Sequence, residues 1–146
     1  SYAALGHLHR AQNVADKGAL YREIRRVLRP GAWLVLSEIA KGAGADVDYP
    51  TPWAAGPGTS FLSTPDETRR GLSRAGFDVI RLHESRDEAM AFAARSREIV
   101  ARGGKPPHRA VMLIHGDAAK PATANAARGL ADGRIVPIEV LARKPA

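Results

Sequence analysis

The sequence predicts an α/β fold, and three observations within one short stretch predict it. Leu20, Ile24, Val27 and Leu28 recur at the spacing that gathers apolar side chains on one face of a helix. Pro30 and Gly31 then break that helix. Trp33, Leu34, Val35, Leu36 and Ile39 follow as a nearly continuous apolar run, which suits a strand covered on both faces, as parallel strands of α/β proteins are. Helix, tight break and buried strand together make half of a βαβ unit.

The elements follow in chain order. Asp16 is placed to cap the first helix, about residues 17 to 29, while Arg25, Arg26 and Arg29 sit near its last carbonyls, where positive charge is favourable. The first strand takes about 33 to 39. Residues 40 to 63 form a Gly/Pro-rich loop, and loops of this length in compact domains are usually functional or disordered. Thr64 to Glu67 is a capping box with Pro65 at the first helical position, so a second helix runs from about 65 to 75 and stops at Gly76. Phe77 to Leu82 is the second strand, and Ser85 to Ala101 a third helix that ends at Gly103 and Gly104. Pro106 and Pro107 break the chain before an apolar segment, Ala110 to Ile114. Pro121 opens an alanine-rich helix that stops at Gly133. Ile135 to Ala142 is the last strand, where Pro137 predicts an edge or a bulge.

Composition bounds the function. A chain of 146 residues is one domain's worth, enough to bury roughly two thirds of its unfolded surface. The hydrophobic fraction of 45% includes 27 alanines, and aromatics are only 5%, so large apolar side chains are sparse and a partner surface can be needed. With no cysteine there is no disulfide framework and no thiolate metal site, which fits a reducing cytoplasm, the expected location. No apolar run approaches a membrane span, and the opening residues are no signal peptide, so no membrane partner is expected. The net charge of +7 and the stripe Arg22, Arg25, Arg26 and Arg29 could meet phosphates, but Glu23 shares the helix and no aromatic platform is interleaved. A solvated helix face is expected rather than nucleic-acid binding. His7 and His9 form an HxH pair with no acidic cluster beside it, so no metal is expected.

Three segments carry a family resemblance. Residues 16 to 39, DKGALYREIRRVLRPGAWLVLSEI, resemble the "E..RVLKPGG.L.." segment of class I S-adenosylmethionine-dependent methyltransferases, in the helix after the fourth strand and the fifth strand itself. Thr64-Pro65-Asp66-Glu67 to Ala75-Gly76-Phe77 resembles the next helix of that family, which ends in "AGF" before the sixth strand. Asn125, Gly129-Leu130, Gly133-Arg134-Ile135 and Ala142-Arg143-Lys144 resemble the last helix and final strand of its small-molecule members, of the ubiquinone-menaquinone and glycine-sarcosine N-methyltransferase kind.

The resemblance implies the C-terminal half of a Rossmann-like methyltransferase sheet, with Tyr2 to Leu8 closing the fourth strand. Residues 1–146 would be the C-terminal part of one class I domain, with the N-terminal cofactor-binding half absent. A helical insert at about 85–132 precedes the last strand, where most of the family makes a simple hairpin. The family holds its cofactor on a glycine-rich turn after the first strand, and no substitute is visible here. Gly42-Ala43-Gly44 leads into Val47-Asp48-Tyr49-Pro50-Thr51-Pro52, which cannot open a helix onto a ligand, and Gly56-Pro57-Gly58 fails likewise. Cofactor-binding residues are therefore left unassigned.

The implied activity is methyl transfer from S-adenosylmethionine to a small-molecule acceptor, achieved by aligning donor and acceptor and excluding water. This chain would supply mainly the acceptor side, be inactive alone, and bind S-adenosylmethionine weakly or not at all. His9 and Asn13 match the residues between the fourth strand and the following helix, beside the donor methyl. His9 is the catalytic candidate, for orienting substrate or removing a proton near neutral pH, or else an exposed loop histidine. Asn13 is a substrate-binding candidate. Tyr49 and Trp53 would form an aromatic wall over a cationic sulfonium or amine, or would anchor the proline-rich loop. Glu38, at the carboxyl end of its strand, faces where open α/β sheets hold ligands, or is a capping or loop-pairing residue. Amine and quinone-type carbon acceptors both stay open. The alternative is a non-catalytic or split-enzyme subunit, or a fragment, that forms a homodimer or meets its missing half through an open sheet edge.

Overall fold

In a computed structural model, the structure describes residues 11–104 and 119–146. The predicted segments Tyr2 to Leu8 and Ala110 to Ile114 lie outside the described residues, as do His7 and His9. A 3-10 turn, Ala11–Asn13, leads into α1 (Lys17–Val27) and β1 (Trp33–Lys41). A long loop with a second 3-10 turn, Pro57–Thr59, leads to α2 (Pro65–Arg74), β2 (Asp78–Glu84) and α3 (Arg86–Ala101). Helix α4 (Ala119–Ala131) and β3 (Ile135–Arg143) complete the described chain.

Both helix starts are capped as predicted. The Asp16 carboxylate accepts from the Ala19 amide at 2.9 Å, and the Thr64 hydroxyl accepts from the Glu67 amide at 3.1 Å. Helix α2 ends at Gly76, whose φ of +95° is a backbone state that a side chain would strain.

The buried face of α1 differs from the predicted stripe. Tyr21 is 1% exposed and Leu28 5%, whereas Val27 is 64% exposed. At 100° per residue the inward line runs through Lys17, Tyr21, Ile24 and Leu28, and Val27 falls well to one side of it. Lys17 therefore starts on the inner face of its helix.

The sheet has three strands in the order β1-β3-β2, and both pairings are antiparallel. Among the described residues the apolar run of β1 thus has one strand neighbour, the antiparallel β3. Beta strands 1 and 2 do run in the same direction, but β3 lies between them. Strand β1 is also not covered equally on its two sides. Leu34, Leu36, Glu38 and Ala40 are buried, while Val35, Ser37 and Ile39 are half-buried and Trp33 is exposed. The buried side packs with Tyr21, Leu28, Leu72, Phe77, Ile138, Val140 and Ala142 into one core under α1 and α2.

Pro137 is in the central strand, where no proline was expected. Its carbonyl accepts from the Ser85 amide at 2.8 Å, just past Glu84↔Ile138, the last β2–β3 pair. A residue's carbonyl and nitrogen point to the same side of a strand, so the missing N–H faces the place where β2 has already ended. No ladder bond is lost. The bulge is in β2 instead, where Ile80 is skipped between Val79↔Ala142 and Arg81↔Leu141. Between β2 and β3 the predicted helical insert is present as α3 and α4. No helix among the described residues is long and apolar enough to cross a membrane.

Candidate functional site

The carboxyl end of β1 opens into a built loop. Residues 42 to 64 are tied down from several directions. The Asn13 side-chain amide donates to the Trp53 and Thr59 carbonyls, at 2.7 Å each. The Phe61 amide donates to the Gln12 carbonyl at 2.7 Å, and the Asn125 side chain of α4 donates to the Pro50 carbonyl at 2.9 Å. Trp53 Nε1 donates to the Ser60 hydroxyl at 3.1 Å. A segment expected to be functional or disordered is thus held as a scaffold, because its ends and middle are each bonded to a neighbouring element.

Beneath this loop is a cavity of about 490 Å³, within the range of small-molecule sites. Lys41, Asp46, Tyr49, Ser60, Leu62 and Arg134 line it, with Val47 and Pro57 among its apolar wall. Arg134 precedes β3 and is fixed in place: its Nη1 donates to Asp48 Oδ2 at 3.0 Å and to the Asp46 carbonyl at 3.3 Å, and its Nη2 is 3.4 Å from Asp132 Oδ2. Tyr49 therefore reaches the cavity. Trp53 is not among its lining residues, and the indole instead supports Ser60, which is. Of the two aromatics singled out from the sequence, Tyr49 lines this cavity.

Glu38 has a different setting. Its side chain is 3% exposed, and Lys17 Nζ is 3.9 Å from Oε1. Burial pushes the Glu38 carboxyl above the usual carboxylate range, with the Lys17 charge opposing. Burial lowers Lys17 in turn, with Glu38 opposing, and the ammonium also donates to the Ala11 carbonyl. Tyr21 is raised above the ordinary phenol value, first by burial and then by Glu38, with the Thr68 side chain opposing. Glu38 also lines a smaller cavity of about 230 Å³ with Gln12, Ser37, Ser85 and Glu139. It is thus a buried, paired carboxylate beside a space too small for most ligands.

Tyr49, a substrate-binding candidate from the sequence, lines the cavity, while the other lining residues Lys41, Asp46, Ser60 and Arg134, and Lys17 as the partner of Glu38, were not singled out for a site. Arg134 stands in the Gly133-Arg134-Ile135 stretch that carried the resemblance, which is the only signal it gave. Among the described residues no group of three or more His, Asp or Glu could hold a metal.

No protein-family model matches the chain, and no curated protein matches it. Solved structures do. Haemonchus contortus phosphoethanolamine N-methyltransferase 2 in complex with S-adenosyl-L-methionine is similar with a TM-score of 0.67 at 14% identity, covering 94% of this chain and 32% of its own. A putative sarcosine dimethylglycine methyltransferase from Galdieria sulphuraria is similar with a TM-score of 0.61 at 17% identity, over 94% of this chain and 51% of its own. The cyclase SpnF is similar with a TM-score of 0.61 at 22% identity, over 94% and 47%. The chain thus spans about a third to a half of the length of these structures. The fold is that of the C-terminal part of Rossmann-like methyltransferase structures, an α/β arrangement with a small antiparallel sheet. SpnF shows that this half-domain also occurs in a protein named for a cyclisation.

The turn at Gly42-Ala43-Gly44 is occupied by backbone contacts that leave no cradle for S-adenosylmethionine there. The Gly42 amide donates to the Arg134 carbonyl and the Gly44 amide to the Gly133 carbonyl, so neither N–H is left for a ligand. A Cβ on Gly42 would stand 2.0 Å from the Gly133 oxygen. These glycines permit two backbone segments to touch; they make no cradle.

Proposed function

We propose that this chain provides the acceptor side of a methyltransferase acting on a small molecule, with S-adenosylmethionine held by residues other than those described. The observation that carries this reading is the position of the larger cavity. It opens at the carboxyl end of β1, where open α/β sheets take ligands, and it is lined largely by a loop anchored at Asn13, Ser60 and Asn125. The fold shared with S-adenosylmethionine-bound structures supports it. In this reading Tyr49 and Ser60 offer hydroxyls to the acceptor, Val47 and Leu62 exclude water, and Asn13 and Trp53 hold the loop. His9 keeps the role of proton acceptor or substrate orienter. Glu38 positions α1 against β1.

The test is a pair of titrations. Small amines should give saturable amide shifts at residues lining the cavity, while calorimetry with S-adenosylmethionine should give no micromolar binding. Micromolar S-adenosylmethionine binding would overturn the division of roles.

The sheet edge favours a second reading. Strand β1 pairs with β3 on one side only among the described residues, so alternate backbone groups along Trp33, Val35, Ser37 and Ile39 face away from the ladder. A non-catalytic or split-enzyme subunit would add a second chain there as a homodimer or heterodimer. Light scattering of the pure protein separates the two: a stable dimer that Val35→Pro abolishes, with the monomer still folded, favours the second reading.

A further inference from the structure

Helices α1 and α2 bring two rows of arginine together on one outer face. They run side by side in the same direction: a Cβ on Gly71 would stand 3.1 Å from the Tyr21 ring, and Arg25 Nε donates to the Gly76 carbonyl at 3.3 Å. At 100° per residue Arg22, Arg25, Arg26 and Arg29 gather within about 100° of one another, on the flank of α1 beside α2. Arg70 and Arg74 form an i, i+4 row on α2, on the side away from buried Leu72. The sequence showed the α1 stripe alone, and the fold sets the second row next to it. The fold itself makes little use of these charges. Among the described residues Arg26 has an ion pair, with Glu23 at 2.6 Å, and Arg22, Arg25, Arg29, Arg70 and Arg74 have none. The helix ends do not need them either. Lys144 Nζ donates to the Arg25 and Leu28 carbonyls at 2.8 and 2.6 Å, and the Ala75, Phe77 and Gly76 amides take the Gly71, Leu72 and Ser73 carbonyls. Like charges three and four residues apart repel, so this face is unfavourable until an anion covers it.

We infer that this arginine face docks an acidic helix of a partner protein. Arg22 to Arg29 covers two turns, about 10 Å, and packed helices lie about 8–10 Å apart. Both rows therefore reach carboxylates at i, i+4 and i+7 of one helix laid along them, and each guanidinium fork matches a carboxylate. A nucleic acid suits the face less. Asp66 and Glu67 in the first turn of α2, with Glu23 on α1, would meet a continuous phosphate backbone as like charges, and neither helix exposes an aromatic ring for a base to stack on. A second copy of the chain would bring the same excess of positive charge against itself. The face is also away from the larger cavity. Arg29 lies just before the first residue of β1, whereas the cavity opens at the carboxyl end of that strand, so a docked partner leaves the cavity free. Docking there does not depend on what the cavity binds.

Fluorescence anisotropy with three labelled probes, at an ionic strength of about 0.15 M, tests this. The first is a synthetic alanine-rich helix of about 20 residues with glutamates at i, i+4 and i+7 spacing on one face. The second has glutamine at those positions, and the third is a single-stranded RNA of similar length. The glutamate peptide should bind saturably, and more tightly than either of the others. Arg29→Gln/Arg74→Gln should weaken it about tenfold, the loss of two exposed charge pairs. Arg95→Gln/Arg97→Gln, which removes the same charge from exposed positions of α3, should leave it unchanged. All four side chains are exposed, so both variants should keep the parent's melting temperature. Equal weakening by the α3 variant would reduce the binding to net charge and overturn the proposal. Glutamate peptide binding that survives Arg29→Gln/Arg74→Gln, binding no tighter than that of the glutamine peptide, or tighter binding of the RNA would each overturn it too.

Discussion

Lys17 Nζ stands 3.9 Å from Glu38 Oε1, and this pair joins the first turn of α1 to the middle of β1. Neither residue is where its charge would choose to be. Burial raises the Glu38 pKa and lowers that of Lys17, and each is only partly restrained by the other. Removing one member should therefore hurt more than removing both. Lys17→Met leaves an uncompensated buried carboxylate and should cost about 3 kcal/mol in urea unfolding, while Lys17→Met/Glu38→Leu should recover most of it.

The same pair predicts a pH dependence. Folded Glu38 keeps its proton where the unfolded chain has released it, so stability falls as pH rises from the ordinary carboxylate range to the raised value. Lys17 acts oppositely at alkaline pH. The unfolded chain binds that proton more tightly, so stability rises from the lowered pKa toward the ordinary lysine value. Denaturant midpoints measured across pH should lose the acid-side slope in Glu38→Gln; a slope that persists there would belong to another group.

Asn13 gives a loop prediction. Its two bonds, to the Trp53 and Thr59 carbonyls, pin the first turn to the loop that lines the cavity. Asn13→Ala should cost about 1–2 kcal/mol and speed hydrogen exchange at Phe61, whose amide bonds the same turn. Tryptophan emission should also shift as Trp53 loosens. Unchanged exchange at Phe61 would show that Asn125 and Ser60 suffice to hold the loop.

The revised face of α1 is checked by two truncations. Tyr21→Ala, at a site 1% exposed, should cost about 3–5 kcal/mol. Val27→Ala, at a site 64% exposed, should change stability by less than about 0.5 kcal/mol. The reverse order of effects would restore the stripe read from spacing alone.

Gly42→Ala tests the close backbone approach beside the cavity. Its new Cβ would lie 2.0 Å from the Gly133 oxygen, so one strand end must move, at a cost of about 3 kcal/mol or more. Gly58 meets nothing within 4 Å of an added Cβ, and Gly58→Ala should melt within about a degree or two of the parent.

Local signals in the sequence translated well into structure. Asp16, Thr64 and Gly76 act at the helix ends where their chemistry put them, because capping depends on residues within a few positions of one another. Val27 misled because a spacing pattern is symmetric about several possible centres, and only the contact with β1 chooses among them. Pro137 misled for a similar reason: proline forbids one ladder bond, and whether that bond exists depends on where β2 stops. Of the site, Tyr49 was legible as an aromatic in a long loop. Lys41 and Arg134 were not, because they meet through the pairing of Gly42 with Arg134, a relationship between strands distant in sequence. Glu38 was legible as special but not as buried, since Lys17 reaches it only once the helix is docked.

The order of the strands has a consequence for how the chain matures. β3 lies between β1 and β2, yet it follows both in the sequence, and its first residue, Ile135, pairs with Lys41, the last of β1. During synthesis the first two strands must wait, each with an unanswered backbone edge, until residues 135 to 143 leave the ribosome. Such long-range closure is slow, and the waiting strands are prone to pair with other chains. Cutting residues 135 to 143 from the chain would therefore remove the middle of the sheet, and the nascent protein is at its most vulnerable to aggregation until those residues emerge.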